Sequence, residues 1–219
     1  MTGEVELRAA PGFVEEALRS ELPGLRLDWV TVEGRALKSP EAVVGRLRAL
    51  SNRYRGANVV ALRAQPIPHA YRAFFRQIGL DPDVTRVPSE EAAVNRLVHG
   101  QFRSRDLVHD ATLIALVETG VPVWALDADL VDASGLGIRS SSDGERLGSG
   151  DLSRPLPAGR LVVADAERIH AILFGELAPG HEVTGRSRRI ALFTVAVEGV
   201  PNIHIEEALW LCVEVLGAT

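Results

Sequence analysis

Val108-His109-Asp110-Ala111-Thr112-Leu113-Ile114-Ala115-Leu116-Val117-Glu118-Thr119-Gly120-Val121-Pro122-Val123-Trp124-Ala125-Leu126-Asp127 is the stretch in which this chain changes its period. From residue 108 to 118 apolar residues occupy most of the circumference of a helix, which marks a central, buried one. Gly120-Val121-Pro122 ends it, because glycine takes the left-handed turn and proline cannot continue a helix. From Trp124 onward the apolar residues recur in short strand-like runs, so the period falls from 3.6 to 2 near Pro122.

On the N-terminal side of that point the pattern is mostly helical. Tyr71, Phe74, Phe75 and Ile78 share one helix face, closed by Gly79. Pro88-Ser89-Glu90-Glu91 opens another helix, with Val94, Leu97 and Val98 expected inward and Gly100 as its stop. Further upstream, residues 13–22 read as a short helix stopped by Pro23-Gly24, and residues 25–32 alternate as a strand. Ser39-Pro40-Glu41 reads as a cap, a first-turn proline and a first-turn acid. The stripe Val43, Leu47, Leu50, Tyr54 follows, ending at Gly56.

On the C-terminal side strands predominate. Residues 124–127 lead to a loop at Asp132-Ala133-Ser134-Gly135. Residues 136–139 with the turn Asp143-Gly144 read as a hairpin, and residues 149–159 as a loop. Residues 161–164, 169–174 and 190–197 are further strands, and Pro201-Asn202 caps a last helix carrying Ile205, Leu209, Cys212 and Leu216. Strands and helices in mixed order predict an α+β fold.

Composition narrows the function classes. The chain has 219 residues, one cysteine, six histidines and a net charge of −5. A lone Cys212 permits no internal disulfide, which fits a reducing cytoplasm. Met1-Thr2-Gly3-Glu4-Val5-Glu6 lacks the basic start and apolar run of a signal peptide, and no run is apolar enough to span a membrane. The expectation is a cytoplasmic protein with no membrane partner, and the net charge gives no basic field for DNA. Scattered histidines predict no metal, and with no phosphate-binding glycine motif no cofactor is expected.

Few residues carry obvious chemistry. His109-Asp110 has the composition of a base and its orienter, yet adjacent helical residues point apart, which favours a capping or core role. Ser140-Ser141-Ser142 reads as a polar loop. Thr184-Gly185-Arg186-Ser187-Arg188-Arg189 is the densest basic run, either a solvated turn or a phosphate anchor.

From residue 66 onward a series of motifs stands in a familiar order. These are His69-Ala70-Tyr71-Arg72 through Gly79-Leu80-Asp81-Pro82, Thr85-Arg86 with Pro88-Ser89-Glu90, and residues 108–112. Gly120-Val121-Pro122 with residues 125–129 follows, then Ile138-Arg139 with Asp143-Gly144-Glu145. Val163-Ala164-Asp165, Phe174-Gly175-Glu176 and residues 184–189 complete the series. In this order they resemble the B3/B4 domain of the phenylalanyl-tRNA synthetase β subunit, and free-standing B3/4 domain proteins.

The resemblance implies a three-layer β/β/α core of unusual sandwich topology. Residues 1–219 are expected to form one unit, with 1–65 as its leading extension. It also implies binding of the aminoacyl end of tRNA, with hydrolysis of mischarged aminoacyl-tRNA. The alternatives are a non-catalytic module for an amino-acid-like ligand or a protein partner, and a hydrolase of another small ester or amide. Aminoacylation is excluded, since no synthetase catalytic core fits in this length. By resemblance, Glu176 is the catalytic candidate. Trp124, Asp127, Ile138 and His181 are candidates for substrate contact, although for Asp127, as for Asp129, the favoured reading is structural, bonding backbone amides at the turn after the strand. Arg186, Arg188 and Arg189 are the candidates for RNA phosphates. The sequence departs from the family where Trp124 replaces its editing histidine, where Leu113 replaces an asparagine, and where Leu177 replaces the histidine after the glutamate. If there is hydrolysis, Glu176 is expected to face a cavity shared with Trp124, Asp127 or the strand at Ile138, because strand ends of one sheet open on one edge, where ligands collect.

Overall fold

The computed structural model describes residues 9–54, 56–132, 134–148 and 150–217, apart from the side chains of Ala57, Asn58 and Asp151. The readings of Met1 to Glu6, Ala133 and Ser149 lie outside the described residues.

Ten strands and seven α-helices follow in chain order among these residues. They are β1 (Ala10–Pro11), β2 (Phe13–Val14), α1 (Glu16–Glu21), β3 (Arg26–Glu33), α2 (Glu41–Arg53), α3 (Gly56–Leu62), α4 (Pro66–Gln77), α5 (Pro88–His99) and α6 (Leu107–Thr119). Then come β4 (Val123–Asp127), β5 (Gly137–Ser140), β6 (Arg146–Leu147), β7 (Arg154–Pro155), β8 (Leu161–Ala164), β9 (Ile169–Ile172), β10 (Arg189–Ala196) and α7 (Asn202–Gly217).

The architecture is α+β in three layers. One open sheet has the order β1-β3-β10-β4, all antiparallel. A second has the order β2-β5-β8-β9, with β2 parallel to β5. β3 touches β2 and β5, which brings the sheets face to face, while α6 and α7 pack on each other and on the first sheet. β10 lies at the centre of that sandwich, buried at every position after Arg189. Central burial makes its run of apolar residues continuous rather than alternating.

The change of period at Pro122 is where the chain leaves α6, at left-handed Gly120, and enters β4. Ile114 of α6 and Leu126 of β4 have no exposed surface. Burying each such side chain stabilises the fold by roughly 1.5–3 kcal/mol.

Several local expectations are corrected. Residues 13–14 are strand, and the first helix begins at Glu16. Ser39 does not cap α2. Its hydroxyl donates instead to Asp110 Oδ2 at 2.6 Å. On α5 the buried residues are Ser89, Glu90 and Ala93, while Leu97 and Val98 are exposed. That stripe is set by a polar contact, since buried Arg72 of α4 donates to both oxygens of buried Glu90 at 3.0 Å and to Asp83 at 2.8 Å. The expected hairpin after β5 does not form. β5 pairs with β8, and the short ribbon β6–β7 occupies the connection. Glu145 instead clamps Arg139 with two bonds of 2.7 and 2.8 Å and accepts from Ser142 N.

Candidate functional site

Four of the motifs, distant in sequence, meet at one groove beside the edge strand β4. Its two adjoining lobes have volumes of about 640 and 360 Å³, the size of small-ligand sites. Both lobes are lined by Pro88 and Glu91 of α5, His109, Leu113 and Leu116 of α6, and Trp124 of β4. The smaller lobe adds Thr112, Pro122, Phe174 and Gly175. The larger adds Arg96, His99, Arg103 and Arg105. Apolar walls and a few polar groups are the usual composition of a binding site.

The aromatic floor is built by packing across the sheet. Trp124 stacks on its cross-strand neighbour Phe193, with centroids 5.5 Å apart and rings inclined by 14°. Phe174 meets Trp124 edge-on at 5.5 Å, and its ring also meets Tyr71, Phe74 and Phe75. Phe174 holds φ at 55°, left-handed for a bulky residue. Such a conformation persists only where packing over-determines it, and it is common at binding sites. Here the four aromatic neighbours supply that packing.

The polar group best placed for chemistry is His109. Asp106 caps α6, accepting from the N–H groups of Val108 and His109 at 3.0 Å. One turn in, Asp110 has no exposed surface. Its carboxylate accepts from Ser39 Oγ at 2.6 Å, Ser104 Oγ at 2.5 Å, Arg105 N at 3.0 Å and His109 Nδ1 at 3.1 Å. Burial alone pushes this carboxyl up, but the bonds from His109, Ser104, Ser39 and Arg105 outweigh it and hold it below the usual carboxylate range. An ionised carboxylate only accepts, so Nδ1 of His109 carries a proton, and in the neutral ring Nε2 is the nitrogen left to accept. The expectation that side chains 109 and 110 point apart is thus corrected.

Glu176 is not in this groove. The turn through Phe174 brings Gly175 N to Ile172 O at 2.8 Å, and Ile172 N bonds Glu176 O at 3.0 Å, so the chain reverses. Glu176 then pairs with Arg154 at 2.7 Å, both half exposed, in a separate cleft with Leu147, Pro157 and Arg160. The expected shared cavity with Trp124 is corrected accordingly. Ile138 has no exposed surface and pairs with Val14 and Val163 inside the second sheet, so it is core and offers nothing to a ligand. Asp127 accepts from Ser187 Oγ at 2.6 Å and from Asp129 N at 3.1 Å, which makes it a turn-holding residue.

His181 is buried too. It forms the end of a chain in which His170 bonds Asp165 at 2.7 Å through Nε2 and His181 at 3.0 Å through Nδ1. Burial pushes both imidazoles below the usual histidine value, and for His181 the neighbouring His170 adds to it. Asp165 is held low by N–H groups of Asp132, Glu167 and Arg168 and by His170, against the opposing effect of burial. The chain ties three loops together. No periodic signal in the sequence joins these residues, because their side chains meet between loops and a strand rather than along one element.

Arg186, Arg188 and Arg189 are exposed at the end of the first sheet, beyond Asp127. Arg189 is bound to Asp129 at 2.7 and 3.0 Å. Among the described residues Arg186 and Arg188 have no ion-pair partner. No group of three or more His, Cys, Asp or Glu among the described residues is placed to hold a metal ion, and no described helix is long and apolar enough to cross a membrane.

Comparison with known proteins places these motifs within one family. The chain is 35% identical over 109 residues to the phenylalanine–tRNA ligase β subunit of Gloeobacter violaceus, covering 48% of this chain and 14% of that protein. It is 38% identical over 86 residues to the phenylalanine–tRNA ligase β subunit of Geobacter sulfurreducens, covering 39% of this chain and 11% of that protein. The chain thus matches a small part of each relative. The B3/4 domain profile matches residues 70–199, a span that holds every motif lining the groove, and the chain belongs to the B3/4 domain family.

Proposed function

We propose that this chain binds the aminoacyl end of tRNA in the β4 groove and hydrolyses the ester of a mischarged amino acid there, working as one unit. The observation that carries the reading is His109. It lies in the groove opposite an apolar wall, its Nδ1 held by a buried carboxylate, which leaves Nε2 as the nitrogen that can work on a substrate. The family's editing histidine is replaced by Trp124, and His109 supplies an imidazole from the facing helix.

In the proposed reaction Nε2 takes a proton from a water as its oxygen attacks the ester carbonyl. The carbonyl π pair moves onto oxygen, giving a tetrahedral intermediate. Its collapse breaks the bond to the ribose oxygen, and the imidazolium returns the proton to that leaving oxygen. Asp110 keeps Nδ1 protonated and stabilises the transient imidazolium, as an orienting carboxylate does in hydrolytic triads. Leu113, Leu116, Trp124 and Phe174 receive the amino-acid side chain. Glu91, exposed at both lobes, is available to the substrate's ammonium.

The experiment is deacylation of a panel of purified misacylated tRNAs. His109→Asn should slow the susceptible species by about a hundredfold or more, the effect of a positioned base. Glu176→Gln should stay within about twofold, the scatter of a surface substitution. Loss in Glu176→Gln and not in His109→Asn overturns the assignment. Binding without hydrolysis favours the second reading, a non-catalytic module, which the loss of the family histidine at Trp124 supports.

A further inference from the structure

The groove opens at its Arg103–Arg105 end onto a basic surface assembled from three separate segments. Gly34 N bonds Arg188 O at 3.0 Å, Ala36 N bonds Thr184 O at 3.0 Å, and Leu107 N bonds Leu37 O at 2.7 Å. Ser39 and Ser104 share the Asp110 carboxylate. Residues 34–39 are therefore the link between residues 184–188 and residues 103–107. Arg35, Lys38, Arg103, Arg105, Arg186 and Arg188 rise from these segments, all exposed. None of the six has an ion-pair partner among the described residues.

The acids nearby are largely turned inward. Asp106 caps α6, Asp110 is buried, Asp127 holds its turn and Asp129 neutralises Arg189. Glu33, Glu41 and Glu182 are exposed acids flanking the segments, Glu41 being paired with Arg48, and the six cations outnumber them. In a chain of net charge −5 this concentration of positive charge is local, and like charges held this close repel one another unless an anion is present.

Resting on the reading above, we infer that this rim is a phosphodiester-binding surface that holds the RNA backbone while its 3′ end enters the groove. Guanidinium forks suit phosphate oxygens and stack on bases, and five of the six cations are arginine. Arg35 and Lys38 lie outside residues 70–199, the span matched to the family. The leading segment thus has a task of its own.

The test is anisotropy titration of labelled, deacylated tRNA with the full chain between 50 and 200 mM salt. Each phosphate contact contributes about 0.7–0.9 to the log–log salt slope. The double variant Arg35→Gln/Lys38→Gln should flatten the slope by about 1.4–1.8, as should Arg186→Gln/Arg188→Gln, alike for all tRNAs. Arg19→Gln on α1, exposed at the other end of β3, should leave it unchanged. Slopes unaltered by both double variants, flattening by Arg19→Gln to the same degree, or binding to anionic vesicles in place of tRNA overturns the rim. Hydrolysis of a 3′-aminoacyl-adenosine ester, which has no phosphate chain, tests the groove independently. Its success beside unchanged slopes would sink the rim alone, and its failure beside flattened slopes would sink the groove alone.

Discussion

Removing the carboxylate of Asp110 tests the junction on which both the groove and the rim depend. Asp110→Ala deletes the acceptor for four donors. Ser104 and the one-third-exposed His109 recover water as a partner. The Ser39 hydroxyl and the Arg105 amide lose theirs at the buried junction. A hydrogen bond to a charged group is worth about 1.5–3 kcal/mol net, and these two together give a loss of about 3–6 kcal/mol. Loss of an acid from the first turn of α6 adds about 0.3–1 kcal/mol.

For a chain of this size each kcal/mol lowers Tm by about 2–4 °C, so a drop of roughly 15 °C is expected. Urea denaturation at pH 7.5, with an unchanged m-value, is the measurement. Ser39→Ala removes one of the four donors and leaves the carboxylate with three, so it should cost about 1–2 kcal/mol. A loss under about 1 kcal/mol for Asp110→Ala, or equal losses for the two variants, would refute the reasoning that Asp110 is the shared anchor.

Two further outcomes follow from buried titratable groups. His170 and His181 are held neutral by burial, below the usual value of 6.5. The unfolded chain takes up protons below that pH when the native chain does not, so stability is full above about pH 6.5 and falls as the pH drops through the folded values. A urea midpoint as high at pH 5.5 as at pH 7.5 would contradict this. Cys212 is wholly buried and burial pushes its thiol far up, so it should resist a thiol reagent until the chain unfolds. Rapid labelling under native conditions would show that α7 opens locally.

Much of the local structure is legible in the residues themselves. The helices from 66 to 119 and the strands from 123 onward follow from hydrophobic period and from glycine and proline at the ends. The all-round apolar character of residues 108–118 reports that α6 is central: it packs on α2, α5, α7 and β4, and Leu113 and Leu116 on its remaining face line the groove. The order of motifs is likewise a property of the chain, and it implied the family before any fold was visible.

What the sequence left open depends on which distant segments meet. β5 finds β8 rather than its neighbour across Asp143-Gly144, since Glu145 is held by Arg139 and the ribbon β6–β7 fills the connection. The apolar stripe of α5 is displaced by one buried ion pair, Arg72–Glu90. Glu176 stands next to Gly175 in sequence, yet a left-handed Phe174 reverses the chain and sends its carboxylate to Arg154. His109 becomes a candidate base only because Ser39 and Ser104, from two other segments, help bury and ionise Asp110. Periodicity records which face of an element is buried. It carries no information about the partner that buries it, and hydrogen bonds between distant side chains have no period at all, so the site and its rim are properties of the tertiary structure.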